Sequence, residues 1–126
     1  MSIAISIVED QRALRESLVE WLGNAPGIRC VGAYATAEEA LRGIPAQKPD
    51  VVLMDINLPG MSGLDALRAM RDAPETKDIP VIALTAAASE RDKQRGMQAG
   101  FYRYLTKPVK VDELVTALEG VLAATT

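Results

Sequence analysis

The chain contains no histidine, and this absence excludes several kinds of site. Serine-histidine-aspartate triads, cysteine-histidine pairs and the usual zinc sites all need an imidazole. Any chemistry in these 126 residues must therefore depend on carboxylates, hydroxyls and lysines.

Cysteine is almost absent as well. The single thiol, Cys30, cannot form an intramolecular disulfide, and no cysteine-based metal site is possible. Cys30 lies in the apolar stretch Ile28–Val31, which predicts a half-buried side chain in a strand.

The chain also lacks long apolar runs and a basic character. No run approaches the roughly 20 residues of a membrane span, and no basic stretch precedes the first apolar residues, as a signal peptide would require. The net charge is -3 and the lysines and arginines are scattered, which argues against direct binding of nucleic acid. We expect a soluble, cytoplasmic protein that binds neither membranes nor nucleic acid.

What is present is an alternation of short apolar runs with stretches of helical period. It predicts an α/β fold, a doubly wound parallel sheet with helices on both faces. The five predicted strands are Ile3–Val8, Ile28–Ala33, Val51–Met54, Val81–Leu84 and Tyr102–Thr106. The length fits one domain, and no linker or low-complexity tract divides it, so residues 1–126 are expected to form a single domain without an output domain.

Five helices are predicted between and after the strands. Thr36 and Glu39 form a capping-box pattern before the second helix, which Pro45 should end, and Ser62 should cap the third. The fourth, from about residue 89 to residue 99, has a thin apolar stripe and should be the least firmly packed. The predicted buried stripes are Leu14, Leu18, Trp21 and Leu22 in the first helix; Ala40, Leu41 and Ile44 in the second; Leu64, Leu67 and Met70 in the third; and Val111, Leu114, Val115, Leu118, Val121 and Leu122 in the fifth.

Polar side chains stand at the ends of four predicted strands. Glu9 and Asp10 follow the first strand, Asp55 follows the third, Thr85 ends the fourth, and Lys107 follows the fifth. Singly, each has an ordinary explanation, since acidic residues cap helices and lysines are usually solvated. The loop after the outer second strand carries no charge, however, and in a doubly wound sheet the loops near the switch point gather at one edge. We therefore expect these five side chains to converge.

Such a cluster is suited to phosphoryl chemistry. Three carboxylates repel one another, and a bound hard cation with oxygen ligands, Mg²⁺, offsets the repulsion most simply. An aspartate is a competent nucleophile toward phosphorus, and a lysine with Mg²⁺ can hold the equatorial oxygens. Asp55, central in the sheet, is the natural nucleophile, and Thr85 can donate a hydrogen bond to the new phosphoryl group.

The whole chain resembles the receiver domains of two-component response regulators. The resemblance is carried by Val8-Glu9-Asp10, by residues 52–63 (VLMDINLPGMSG), by Ala83-Leu84-Thr85-Ala86, by Ala99-Gly100 and by Tyr104-Leu105-Thr106-Lys107-Pro108. It implies a flavodoxin-like sheet of five strands in the order 2-1-3-4-5 with five helices.

The resemblance also implies roles for the converging residues. Asp55 would be the phosphoacceptor, and Mg²⁺, with Mn²⁺ as an alternative, would be held by Asp10, Asp55 and the backbone carbonyl of Asn57, with Glu9 acting largely through water. Lys107 would pair with the phosphoryl oxygens, and the bond from Lys107 to Pro108 would be cis. Glu9 departs from the aspartate found in many relatives, which can alter metal affinity.

Further roles concern switching and turnover. Phosphorylation would draw Thr85 inward and let Tyr104 rotate into the vacated space, changing a surface made of the fourth helix, fifth strand and fifth helix. That surface is expected to bind a downstream effector or an output domain outside this chain, and is a candidate homodimer interface. Asn57 and Ala87 would flank the phosphoryl group and tune its hydrolysis.

The predicted function is that of a phosphoacceptor and not of an enzyme, since the chain would promote only its own phosphorylation and dephosphorylation. Because it has no histidine, a separate histidine kinase or phosphotransfer domain must supply the phosphoryl group. One alternative is a pseudo-receiver, a protein-binding module that is never phosphorylated. Another is an excised or recombined receiver, because residues 1–63 resemble receivers fused to helix-turn-helix outputs whereas residues 100–108 resemble those of hybrid sensor kinases.

Two other functions found in α/β proteins, aspartyl-phosphate hydrolysis and dinucleotide binding, are disfavoured by the residues themselves. Aspartyl-phosphate hydrolases use an Asp-x-Asp pair, but Asn57 stands at the second place of that pattern. A dinucleotide site needs a glycine-rich turn after the first strand, where residues 9–12 are Glu-Asp-Gln-Arg.

Overall fold

The computed structural model of the chain describes residues 2–86 and 89–125 and shows five strands alternating with five helices. The apolar runs form the strands, and the stretches of helical period form the helices. In chain order the elements are β1 (Ile3–Val8), α1 (Arg12–Asn24), β2 (Ile28–Tyr34), α2 (Ala37–Gln47), β3 (Val51–Asp55), α3 (Gly63–Asp72), β4 (Val81–Thr85), α4 (Glu90–Ala99), β5 (Arg103–Thr106) and α5 (Val111–Thr125).

The strands form one parallel sheet in the order β2-β1-β3-β4-β5, so the predicted fold class and strand order are confirmed. The chain first moves outward from β1 to β2 and then returns across β1 to β3. Strand order therefore reverses between β1 and β3, and the carboxyl ends of these two strands border the crevice where ligands bind in such sheets. Every residue of β3, the central strand, is buried.

Two apolar layers cover the sheet, one on each face. The α1/α5 layer includes Leu18, Leu22, Leu114 and Leu118, and the α2/α3 layer includes Ala40, Ile44, Leu67 and Met70. Successive residues of β3 alternate between them: Val51 and Leu53 belong to the first layer, whereas Val52 and Met54 belong to the second. This alternation follows from the two-residue period of a strand, and it aims the strand's carboxyl end at the edge between the layers.

The prediction that Pro45 ends the second helix is wrong. Pro45 lies inside α2, which continues to Gln47. A proline in the last turn removes only one main-chain donor from the helix. The helix ends instead at Gln47, and the next residue, Lys48, caps it with left-handed backbone angles (φ 49°) and donates its N–H to the carbonyl of Ile44.

The assignment of Val111 to the buried stripe of the fifth helix is also wrong. Val111 is the first residue of α5, is 50% exposed and lines a surface groove beside Trp21. The buried stripe begins one turn later and includes Ala117, which has too small a side chain to stand out in the sequence.

The predicted caps of α2 and α3 are present. The Thr36 hydroxyl accepts from the N–H of Glu39, and the Ser62 hydroxyl accepts from the N–H of Asp65, each at 3.1 Å. Among the α4 residues whose burial the structure describes, only Gly96, which has no side chain, is buried, and this agrees with the thin apolar stripe of the helix. No helix within residues 2–86 and 89–125 has the length and apolar character needed to span a bilayer.

Candidate functional site

The carboxyl edge of the sheet brings the predicted polar residues together. Asp55 is the last residue of β3 and Thr85 the last of β4, one residue beyond each predicted strand end. Glu9 follows β1, and Lys107 follows β5. The edge is held by main-chain hydrogen bonds: the Lys107 N–H donates to the Thr85 carbonyl at 2.7 Å, and the Ile56 N–H donates to the Leu84 carbonyl at 3.0 Å.

Asp55 is tied on both of its carboxylate oxygens. Its Oδ1 accepts from the N–H of Asn57 at 2.9 Å, and its Oδ2 lies 3.0 Å from Nζ of Lys107. The residue is only 2% exposed. The side chain therefore has a fixed orientation at the carboxyl edge of the sheet. One oxygen is bonded to a main-chain N–H, and the other contacts the Lys107 ammonium.

An acidic pocket adjoins Asp55. Carboxylate oxygens of Glu9, Asp10 and Asp55 lie within 4.8 Å of one another, with Glu9 and Asp55 buried and Asp10 exposed. Glu9 Oε2 accepts from the N–H of Gln11 at 2.8 Å. The donor set is made entirely of carboxylate oxygens and one member reaches solvent, which fits a hard divalent cation that keeps some of its waters.

Lys107 supplies the positive charge inside this pocket. Its Nζ lies 2.8 Å from Glu9 Oε1 and 3.0 Å from Asp55 Oδ2, and its side chain is 19% exposed. Burial lowers the pKa of Lys107, but the two carboxylates raise it by more, so its pKa lies above the ordinary value. Among the described residues, Lys107 thus contacts two of the three carboxyl groups of the pocket, and Asp10 forms no ion pair with it.

Glu9 responds to burial more than to its cationic partner. Burial raises its pKa, the Lys107 ammonium and the Gln11 N–H lower it, and nearby Asp10 and Asp55 raise it again. The net effect is a pKa above the usual value. A buried carboxylate of this kind is stabilised in its charged form by any cation that enters the pocket.

The two predicted switch residues line the same small cavity. The cavity, of about 200 Å³, is lined by residues including Asn57, Thr85, Gly96 and Tyr104. Thr85 is buried, and its hydroxyl oxygen accepts a long hydrogen bond, 3.4 Å, from the side-chain amide of Asn57. The Tyr104 ring is half-exposed and packs on α4 at Gly96, where a Cβ would lie 2.7 Å from its Cε2.

Several further expectations can be placed in the structure. The peptide bond from Lys107 to Pro108 is cis, as the resemblance implies. Asn57 is exposed, and its N–H donates to the Asp55 carboxylate. That its carbonyl binds Mg²⁺ stays a prediction. Ala87 lies outside the described residues.

Two residues near the site were not predicted to contribute. The Arg15 guanidinium, from α1, donates to the carbonyl of Glu9 at 2.8 Å and to that of Asp10 at 3.4 Å. Gly63, the first residue of α3, packs so closely that a Cβ there would overlap the carbonyl oxygen of Asp55. Gly63 was part of the recognised motif, but Arg15 had no signal in the sequence, because carbonyl partners leave no trace in residue identity.

Comparison with protein families agrees with this geometry. Residues 5–119 match the response regulator receiver domain family. The match covers all five strands from the third residue of β1 onward, and includes every residue of the acidic pocket as well as Lys107.

Comparison with individual proteins gives the same result. The chain is 40% identical to the phosphate regulon transcriptional regulatory protein PhoB of Pseudomonas aeruginosa over 96% of this chain and 52% of that protein. It is 37% identical to the response regulator GacA of Pseudomonas syringae over 96% of this chain and 56% of that protein. The chain thus spans about half the length of these curated relatives. A solved structure of a putative response regulator from Chloroflexus aurantiacus superposes with a TM-score of 0.87 at 33% identity, covering 98% of this chain and 99% of the other.

Proposed function

The chain belongs to the response regulator receiver domain family, and from that premise we propose that it accepts a phosphoryl group on Asp55 and passes the signal on by a change of surface. The observation that carries the proposal is the surroundings of one carboxylate. Asp55 lies at the end of the central strand, between an acidic pocket and the ammonium of Lys107. This combination of nucleophile, cation pocket and fixed positive charge is what phosphoryl transfer to an aspartate needs.

The acidic pocket is proposed to hold Mg²⁺, or Mn²⁺ in its place. Glu9, Asp10 and Asp55 would hold the ion together with the backbone carbonyl of Asn57, and Glu9 would act largely through water. When bound, the ion would supply positive charge against the phosphoryl oxygens.

The chain's own residues account for the rest of the chemistry. An oxygen of Asp55 would form the bond to phosphorus while the phosphorus–nitrogen bond of the donor breaks. The Lys107 ammonium, already 3.0 Å from Asp55, would pair with the phosphoryl oxygens as negative charge moves onto them. Thr85, across from Asn57, would donate its hydroxyl to the phosphoryl group.

The proposed partners follow from the same chemistry. The donor is a histidine kinase or histidine phosphotransfer domain, since these 126 residues contain no histidine. The proposed output surface is α4, β5 and α5, where Tyr104 lies beside Thr85, and it would bind an effector, an output domain or a second copy of the chain. The role is that of a phosphoacceptor promoting only its own phosphorylation and dephosphorylation. A cytoplasmic location goes with this role and stays a prediction, as does an excised or recombined origin.

The test is a mass measurement on the whole chain incubated with Mg²⁺ and acetyl phosphate. We expect the parent protein to gain one phosphoryl group and Asp55→Asn to gain none. Asp78→Asn, the same change at an exposed carboxylate outside the acidic pocket, should gain one as the parent does. Omission of the metal should abolish the gain. A folded parent protein that never gains mass, even from a phosphorylated donor domain, would instead favour the pseudo-receiver.

A further inference from the structure

Arg15 is a charged side chain that the proposed chemistry leaves without a role. It lies in the first turn of α1, is half-buried, and reaches back toward the residues before the helix. Its Nη1 donates to the carbonyl of Glu9 at 2.8 Å and, more weakly, to that of Asp10 at 3.4 Å. One guanidinium thus holds the main chain of both residues of the acidic pair.

The segment that carries the acidic pair, residues 9–11, has few other anchors. The Glu9 N–H donates to the Tyr34 carbonyl at 3.0 Å, and the Gln11 N–H donates to the Glu9 carboxylate. The Gln11 carbonyl accepts from the main-chain N–H of Arg15 at 2.9 Å, the hydrogen bond with which α1 begins. Gln11, the residue before α1, makes no side-chain cap, and the first turn contains no acidic residue. Within the described part of the chain, no main-chain N–H donates to the Glu9 or Asp10 carbonyl. Main-chain carbonyls in folded proteins usually accept a hydrogen bond, and here Arg15 is the donor.

We propose that Arg15 is a positioning residue for the divalent-cation pocket. By holding the two carbonyls it fixes the segment at which the Glu9 and Asp10 carboxylates meet that of Asp55. A charge-assisted hydrogen bond from a planar guanidinium is strong enough for this task. The inference rests on the proposed function for the identity of the ligand, a hard divalent cation.

Charge and position predict opposite effects for Arg15. The guanidinium is a positive charge close to a pocket that binds a cation, so its removal should by electrostatics alone strengthen cation binding. Loss of a main-chain anchor should weaken it, because the ligand residues must then be ordered when the ion binds. The sign of the change therefore separates a positioning residue from a merely nearby charge.

The experiment compares Arg15→Met and Arg15→Lys with Arg12→Met in calorimetric titrations of the whole chain with Mg²⁺. Arg12 is the matched control, because it lies in the same turn of α1 but is 81% exposed and pairs with Glu16. We expect Arg15→Met to weaken Mg²⁺ binding about tenfold, the usual scale for losing a residue that orients a ligand. Arg15→Lys, which keeps the charge and a donor, should restore part of the affinity, and Arg12→Met should stay within about twofold of the parent because exposed charges are screened.

Amide hydrogen exchange at Gln11 in metal-free protein gives a second readout. Its N–H donates to the Glu9 carboxylate, so exchange should accelerate in Arg15→Met and remain unchanged in Arg12→Met. Thermal unfolding shows whether each variant is folded at the titration temperature, and Arg15→Lys replaces Arg15→Met if the latter is not. Equal or tighter Mg²⁺ binding by folded Arg15→Met, or tighter binding by Arg15→Lys where that variant replaces it, would overturn the inference. A parent protein that binds no Mg²⁺ would instead contradict the proposed function.

Discussion

At the scale of single residues, Lys107 decides the charge balance of the acidic pocket. Its ammonium lies against Glu9 and Asp55, and a bound cation would be held by the same two carboxylates, by Glu9 largely through water. The ammonium and the cation therefore compete. A cation-free pocket therefore depends on Lys107 for charge compensation, and a cation-filled pocket depends on it less.

We predict that Lys107→Met lowers stability in the presence of a chelator and tightens Mg²⁺ binding. Removing one partner of a largely buried pair leaves carboxylates uncompensated, which should cost about 1–3 kcal/mol here because the lysine is partly exposed. Mg²⁺ should restore more of the lost stability than it adds to the parent protein. Thermal unfolding with and without Mg²⁺ measures both effects, with Lys110→Met, an exposed neighbour, as control. An unchanged Mg²⁺ dependence in Lys107→Met would contradict the competition.

Gly63 packs directly against the main chain of Asp55, and this close contact leads to a prediction about stability. A Cβ at this position would overlap the Asp55 carbonyl, so Gly63→Ala should push α3 and the end of β3 apart, lowering both stability and phosphoryl uptake. Gly23 in α1 is the control, since a Cβ there meets nothing within 4 Å. Gly23→Ala should stabilise by about 0.5–1 kcal/mol, because alanine favours the helix. Chemical denaturation and the mass assay test the pair, and a neutral Gly63→Ala would show that the close contact relaxes freely.

At the scale of elements, one threonine that caps a helix and one inside a helix make hydrogen bonds that should affect stability differently. The Thr36 hydroxyl accepts from an otherwise unpaired N–H at the start of α2, whereas the Thr116 hydroxyl bonds back to the Asp112 carbonyl within α5. Thr36→Ala should cost about 1 kcal/mol through loss of the cap. Thr116→Ala should be neutral or slightly stabilising, since alanine is the better helix former. Urea denaturation measures the free energy of unfolding of each variant. A similar decrease in both variants would mean that the Thr36 cap makes no specific contribution to stability.

Elements are also where prediction from the sequence succeeds and fails for identifiable reasons. The Thr36 and Ser62 caps were predicted because an N-cap is a local bond between residues three apart. The end of α2 was not, because a proline in the last turn is tolerated and Lys48 closes the helix with backbone angles that its residue type does not announce. Val111 has the right spacing for the core, but only the fold shows that α5 begins beyond the apolar layer.

At the scale of the whole molecule, the fold could be predicted because each strand is short, apolar and bounded, and only a parallel sheet joins such strands through helices. The convergence of Glu9, Asp55 and Lys107 followed, because parallel strands share one edge. Their pairing did not. From the sequence we expect Lys107 to pair with phosphoryl oxygens, whereas in the structure its ammonium contacts two carboxylates. Arg15 was not predicted, because its partners are main-chain carbonyls, which every residue type has.

The two apolar layers share one sheet, so they should unfold together. Leu53 and Met54 are adjacent in β3, both fully buried, and face the α1/α5 and α2/α3 layers respectively. Leu53→Ala and Met54→Ala should each cost about 2–5 kcal/mol through lost burial and cavity formation. Because the damaged strand is common to both faces, either change should lower a single transition rather than detach one layer.

Trp21 makes this cooperativity measurable. Among the described residues it packs against the α1/α5 layer and not the α2/α3 layer, so its fluorescence reports one face, whereas far-ultraviolet circular dichroism reports helices on both faces. We expect the two signals to give coincident denaturation curves in the parent protein and in both variants. If Met54→Ala shifts the dichroism curve while leaving the Trp21 curve in place, the layers unfold separately. The sheet would then join two units that unfold independently, and the signal that we propose for Asp55 would have no single packed core through which to reach α4, β5 and α5.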